Sequence, residues 1–157
     1  MSDRPAAATE AVEPQATGLP PHEAARWLCP LLREYAGKLD DLLQRSVKAA
    51  DQIIVGYYDR NDRMKAWTRE AGLVVCLLET LDRRVSKLTG QASGLVEHAA
   101  LDYETKTELA LRLDEIEERL RFVPVMIEDL AKTLGEYRVL DETRKLIERS
   151  GRYKSPV

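Results

Sequence analysis

DRNDRMKAWTREAGLVVCLLETLDRR, from Asp59 to Arg84, spaces its apolar residues at alternating steps of three and four. Followed a little further, the series reads Met64, Trp67, Ala71, Val74, Leu78, Leu81, Val85 and Leu88. A mean step of about 3.5 residues keeps one face of an α-helix apolar along its whole length, with charged residues on the outside. The stretch therefore predicts a long helix carrying a heptad seam that packs along a partner helix. Asp59, Asn61 and Asp62 are turn and N-cap types, which puts the helix start near Asp62. Gly90 offers a left-handed stop at the other end.

Upstream, PPHEAARWLCP opens the folded region, with Pro21 suited to a first helical turn and Trp27, Leu28 and Leu31 as the first apolar anchors. Pro30 is expected to kink that helix or to restart it, because it lacks an N–H and crowds the preceding turn. From there an apolar stripe runs Leu32, Tyr35, Leu39, Leu42, Ser46, Ala49 and Ile53, widened by Leu31, Leu43, Ala50 and Ile54, and ends near Tyr58. Downstream, GQASG reads as a turn with Ser93 as a cap, and a third segment begins with Leu95, Ala99 and Leu101. It turns polar through DYETKTE, where Thr105 and Glu108 fit a capping box, and resumes with Leu109, Leu113, Ile116, Leu120 and Val123. Pro124 marks the next boundary, and Ile127, Leu130, Leu134 and Tyr137 form one face of a fourth helix. The fold expected is all-α, an antiparallel up-down four-helix bundle. Its bounds are a disordered leader over 1–20, a bundle domain over 21–148 and a flexible basic tail over 149–157.

Composition agrees with a single helical domain: 157 residues, 44% hydrophobic and 32% charged, with aromatic residues at only 6%. The net charge of −3, from 24 basic and 27 acidic residues, provides no global positive surplus for a nucleic-acid backbone. The longest apolar run, LVVCLL, lies between Gly72 and Glu79 and falls far short of the roughly 18 residues of a membrane span. The amino terminus has no hydrophobic region of a secretory signal, so the expected location is cytoplasmic, with no membrane partner. Cys29 and Cys76 have neither a CxxC spacing nor a histidine neighbour, and read as two small buried hydrophobes in a reducing cytosol.

Catalytic and metal chemistry find little to stand on. A carboxylate-bridged di-iron centre needs Glu-x-x-His on two helices, but Leu95 stands three before His98, and His22 sits at the edge of the leader. His98 beside Glu97 has the elements of a general base, and reads more simply as helix surface. In LDEIEERLR, the carboxylates of Asp114, Glu115, Glu117 and Glu118 lie at helical spacings from Arg112, Arg119 and Arg121, the pattern of a solvated, ion-paired face. No glycine-rich phosphate loop, nucleophile elbow or zinc spacing occurs. The expectation is a protein that is not an enzyme, with no cofactor, no metal and no small-molecule substrate.

Basic residues gather twice, as Arg60, Arg63, Lys65 and Arg69 at the start of the second helix and as Arg144, Lys145, Arg149, Arg152 and Lys154 near the carboxy end. The first group opposes the helix macrodipole, which prefers acids at that end, and so is the candidate binding site for nucleic acid or a partner. In the same place NDRMKAWTREAGLVV resembles the helix-opening segment of the accessory variability determinant proteins of diversity-generating retroelements. The matching positions are Asn61, Lys65, Trp67, Ala71, Gly72 and Leu73. That resemblance implies a small four-helix bundle, assembled as a pentameric ring, that binds a reverse transcriptase and its template RNA through basic surfaces. DRNDRMKAW, LLETLDRR and LDY, in that order, also resemble flagellin-export chaperones, which are small helical bundles too.

The function expected is therefore that of a non-enzymatic interaction protein, an oligomeric adaptor or scaffold in which the seam or the wide stripe of the first helix meets another subunit or a protein partner. Two alternatives stand beside it: an RNA and reverse-transcriptase accessory bundle using the basic patch, and an export-type chaperone.

Overall fold

The computed structural model describes residues 18–59 and 63–150, with the side chain of Asp59 excepted. Over these residues the chain forms three α-helices and no strand: α1 Pro21–Asp59, α2 Met64–Val96 and α3 Tyr103–Ser150. The all-α expectation stands, and the four-helix count is corrected to three. Most of the leader and all of 151–157 lie outside the described residues, whereas Arg149 belongs to α3.

The fourth helix came from one residue read as a stop, Pro124. Pro124 lies inside α3, and Pro30 lies inside α1, each at an exposed position. A helix tolerates proline best on its solvent side, where water can take the carbonyl left without a donor. Gly90 and Ser93 are likewise internal to α2, which runs on to Val96. In both helices the apolar series overrides the breaker. The α2 seam continues from Leu88 to Ala92 and Leu95 in steps of four and three. The α3 series from Leu109 through Val123 to Tyr137 crosses Pro124 without losing its register. Packing along a continuous seam outweighs the local cost of one proline, about 3 kcal/mol, or of one glycine, about 1 kcal/mol.

The true connector is Glu97 to Asp102. His98 donates its N–H to the Leu95 carbonyl at 2.9 Å, and its Nδ1 accepts the N–H of Ala100 at 3.1 Å. Asp102 rather than Thr105 caps α3: its Oδ1 accepts the Thr105 N–H at 2.7 Å, and its carbonyl accepts the Lys106 N–H at 3.0 Å. At the start of α1 the Ala24 N–H donates to the Pro20 carbonyl at 2.8 Å, which leaves Pro21 in the first turn as expected. At α2 the Trp67 N–H donates to the Arg63 carbonyl at 3.0 Å, one residue after the expected start.

The chain divides into two compact units, the first Met1–Lys38 with Leu81–Leu120 and the second Leu39–Thr80 with Arg121–Val157. In the first, the opening of α1, the end of α2 and the opening of α3 meet over Ala25, Leu28, Leu32, Val85, Leu88, Leu109 and Ile116, all with zero exposure. Leu101, in the connector, is buried with them. In the second, the later half of α1, the start of α2 and the later half of α3 bury Ile53, Ala71, Val74, Leu78, Val123 and Leu130. Ser46 is buried there too, and its hydroxyl donates to the Leu43 carbonyl at 2.8 Å, so the polar group is satisfied within its own helix.

Candidate interaction surface

The eight seam residues of α2 face inward. Met64, Ala71, Val74, Leu78, Leu81, Val85 and Leu88 are buried and Trp67 is half-buried, all against helices of the same chain. Gly56 of α1 comes so near that a Cβ there would fall under 3.0 Å from Sδ of Met64 and from the Trp67 ring. The absence of a side chain at Gly56 is what lets α2 begin flush against α1. The wide stripe of α1 is also largely consumed: Leu32, Tyr35, Leu39, Ala49, Ala50 and Ile53 are buried.

Of the candidate basic site, Arg60 lies outside the described residues, and Arg63, Lys65 and Arg69 are exposed on the first turns of α2. Next to Arg69 on the same helix, Glu70 takes both nitrogens of Arg45 from α1, Nε at 2.9 Å and Nη2 at 2.7 Å. The carboxy-terminal cations are partly neutralised. Asp141 sits 2.6 Å from Arg144 and 3.0 Å from Lys145, and the Arg144 guanidinium stacks 5.9 Å over the Tyr57 ring. The acidic run of α3 holds ion pairs along its own helix, with Arg112 at 3.0 Å from Glu115 and 4.0 Å from Glu108.

Among the described residues no group of three or more His, Cys, Asp and Glu side chains is placed to hold a metal ion. Burial, assisted by nearby Glu108, pushes the Cys29 thiol up despite the opposing charge of Arg112, which removes the thiolate character a nucleophile needs. Cys29 is buried as expected, whereas Cys76, expected to be buried too, is exposed on α2 because it lies off the seam of Val74 and Leu78. Neither histidine has a carboxylate hydrogen bond among the described contacts, and His98 serves the connector. No described helix is long and apolar enough to cross a membrane.

No protein-family model matches this chain. No curated protein and no solved structure gives a significant match either. What the molecule offers a partner must then be read from its own surface.

That surface is uneven. The second unit exposes Val47, Ile54, Val55 and Tyr58 on α1, Leu73 and Leu77 on α2, and Phe122, Val125, Val139, Leu140, Leu146 and Ile147 on α3. Among its described residues, the first unit exposes only Leu19, Tyr103 and Leu111 of the large apolar types. Shallow clefts lie between these exposed groups. One of about 400 Å³ is lined by Val47, Val55 and Trp67, and another of about 260 Å³ by Ile54, Tyr58, Tyr137 and Leu140. Tyr57 packs edge-on against Tyr58 and Tyr137, with centroids 5.5 and 6.1 Å apart, and stiffens the second cleft.

Sequence reasoning put Ile54 on the covered stripe of α1, where it is instead exposed, and left most of the other outward residues aside, because each helix was read for one apolar face only. A second series was present on α3. Phe122 and Val125, then Val139 and Leu146, fall at heptad positions offset from the inner series, with Asp129, Lys132 and Glu136 between them.

Proposed function

We propose that the chain is a non-enzymatic interaction protein whose second unit presents an apolar outer surface to protein partners, as an adaptor or scaffold does. The observation that carries this reading is the crowding of exposed large apolar side chains onto one of two units that are otherwise built alike. Scattered apolar residues are normal on a protein surface, and what singles this unit out is that exposed apolar groups of neighbouring helices share two clefts, one with Val47, Val55 and Trp67 and one with Ile54, Tyr58, Tyr137 and Leu140. The seam of α2 is not that site in this reading, since its side chains are already covered by α1 and α3. Ionisable and nucleophilic groups that an active site would gather are dispersed, paired along their own helices or buried without a partner base.

The reading is tested by placing a photo-reactive amino acid at Val55, at Leu73 and, as a reference, at Tyr103, and illuminating the producing cells. Crosslinks to protein from Val55 and Leu73, with none from Tyr103, support it. Crosslinks to RNA alone, lost with Arg63→Ala and Lys65→Ala, would replace it with the accessory role on nucleic acid.

A further inference from the structure

The outer face of α3 carries a pattern that matches itself. On a helix turning about 100° per residue, Phe122, Val125, Asp129, Lys132, Glu136, Val139, Thr143 and Leu146 form one row in steps of three and four. All eight are exposed, with Phe122 at 52%, Val125 at 59%, Val139 at 63% and Leu146 at 62%. The inward row of the same helix is a different set, led by Val123, Leu130 and Tyr137. Leu140 and Ile147 flank the outer row and widen it. Apolar residues thus occupy both ends of the row and charges its centre.

Among the described residues, Lys132 and Glu136 make no ion pair or hydrogen bond with each other or with another side chain, although they stand four residues apart. Lysine preceding glutamate is the less favourable order for pairing along one helix. Both charges are therefore available to something outside. Laid antiparallel on a second copy about a two-fold axis at position 134, the row pairs Phe122 with Leu146, Val125 with Thr143, Asp129 with Val139 and Lys132 with Glu136. Two-fold symmetry requires each contact to occur twice, so the centre gains two Lys132–Glu136 pairs and each end a Phe122–Leu146 pair, while the layers between set Val125 beside Thr143 and Val139 beside an Asp129 carboxylate that stays toward water. These are the layers of an antiparallel helix pair. A parallel copy would set Lys132 beside Lys132 and Glu136 beside Glu136, and the like charges reject it.

We propose that the occupant of this face is a second copy of the chain, seated antiparallel on α3 from Phe122 to Ile147. The proposal rests on the interaction reading above and names its partner. The row spans roughly 36 Å at 1.5 Å per residue, a contact at the small end of specific interfaces, so the dimer exchanges with monomer at micromolar concentrations. The charged centre fixes register and direction while the apolar ends supply adhesion.

Charge reversal on the full chain tests it by sedimentation equilibrium. The native chain is expected to reach twice its 17.8 kDa mass at tens of micromolar. Lys132→Glu and Glu136→Lys should each weaken the dimer tenfold or more, and the two combined should restore it, since the pairs then re-form with reversed sense. Neither surface change disturbs the buried row, and unchanged helical circular dichroism verifies this. A native chain that stays monomeric, a dimer indifferent to either single reversal, or a double variant as weak as the singles would overturn the proposal. A monomer that still crosslinks to another protein from Val55 would leave the interaction reading standing while removing the second copy, so the two failures are distinguishable.

Discussion

Arg45 of α1 and Glu70 of α2 form a forked contact, with Nε of the guanidinium 2.9 Å and Nη2 2.7 Å from Oε2, and Nη2 2.9 Å from Oε1. The fork ties the two helices at Glu70, three residues on from Trp67, whose ring lies against Gly56. Both side chains remain substantially open to water, at 42% and 35%, so the pair orients the helices more than it stabilises them. Glu70→Gln is expected to cost about 0.5 kcal/mol, and the difference from the native chain should vanish in 1 M salt. Urea unfolding at two salt concentrations measures both.

Gly56 should tolerate no side chain. In Gly56→Ala the new methyl meets the Trp67 ring, which cannot flex away as the Met64 thioether can. Overpacking of this kind costs about 1–3 kcal/mol, against a gain of about 1 kcal/mol in helix propensity. A lowered urea midpoint is the expected result, with Trp67 fluorescence altered in the folded state. Leu78→Ala and Leu109→Ala, at sites with zero exposure, should each cost about 2–5 kcal/mol.

Acid should separate two carboxylates by sign. The Thr105 side chain and backbone N–H hold Asp102 below the usual carboxylate range, so the cap contributes above about pH 4 and is lost as pH falls through its lowered folded value. Asp102→Ala is therefore destabilising at pH 7, with a deficit that shrinks toward pH 2. Burial pushes Asp82 the other way, only partly offset by Arg83. Its folded value lies above the unfolded one, so its ionised form weighs against folding at pH 7 and stability returns as pH falls through that folded value. Asp82→Asn should accordingly raise the midpoint at pH 7 and leave it little changed once Asp82 is protonated. Urea midpoints across pH 2–7 read out both slopes.

The two cysteines should behave as different chemical species. Cys76 is exposed, while Cys29 is buried with its thiol pushed up. A thiol reagent at pH 8 is expected to modify one cysteine of the native chain quickly and the second only on unfolding, and peptide mass mapping should place the first at Cys76.

Much of the inner architecture was legible because burial follows period. The series Met64 to Leu88, Leu32 to Ile53 and Leu109 to Leu130 each mark a face that the fold covers. What misled was local punctuation. Pro124, Gly90 and Ser93 were read as ends, although the apolar steps continue across each, and a continuous face is the stronger constraint because packing supplies most helix stability. The cap of α3 was placed at Thr105 when Asp102 had the better position, three residues before the N–H it accepts. After Tyr137 the inward row no longer reads as apolar, because Asp141 and Arg144 stand there and pair at 2.6 Å where leucines stood before. The outer surface was harder to see, since exposed Phe122, Val125 and Val139 acquire meaning only once the inward row is known to be complete without them.

Carbene footprinting of the isolated chain and of the particle purified from its source bears most directly on the claim that the seam is closed within the chain and the second unit's exterior does the binding. The account predicts that Leu78, Val85 and Leu88 are unlabelled in both, while labelling of Val55, Leu73, Val125 and Val139 in the isolated chain falls in the particle. Seam residues labelled in the isolated chain and shielded only in the particle, with the outer residues unchanged, would contradict it.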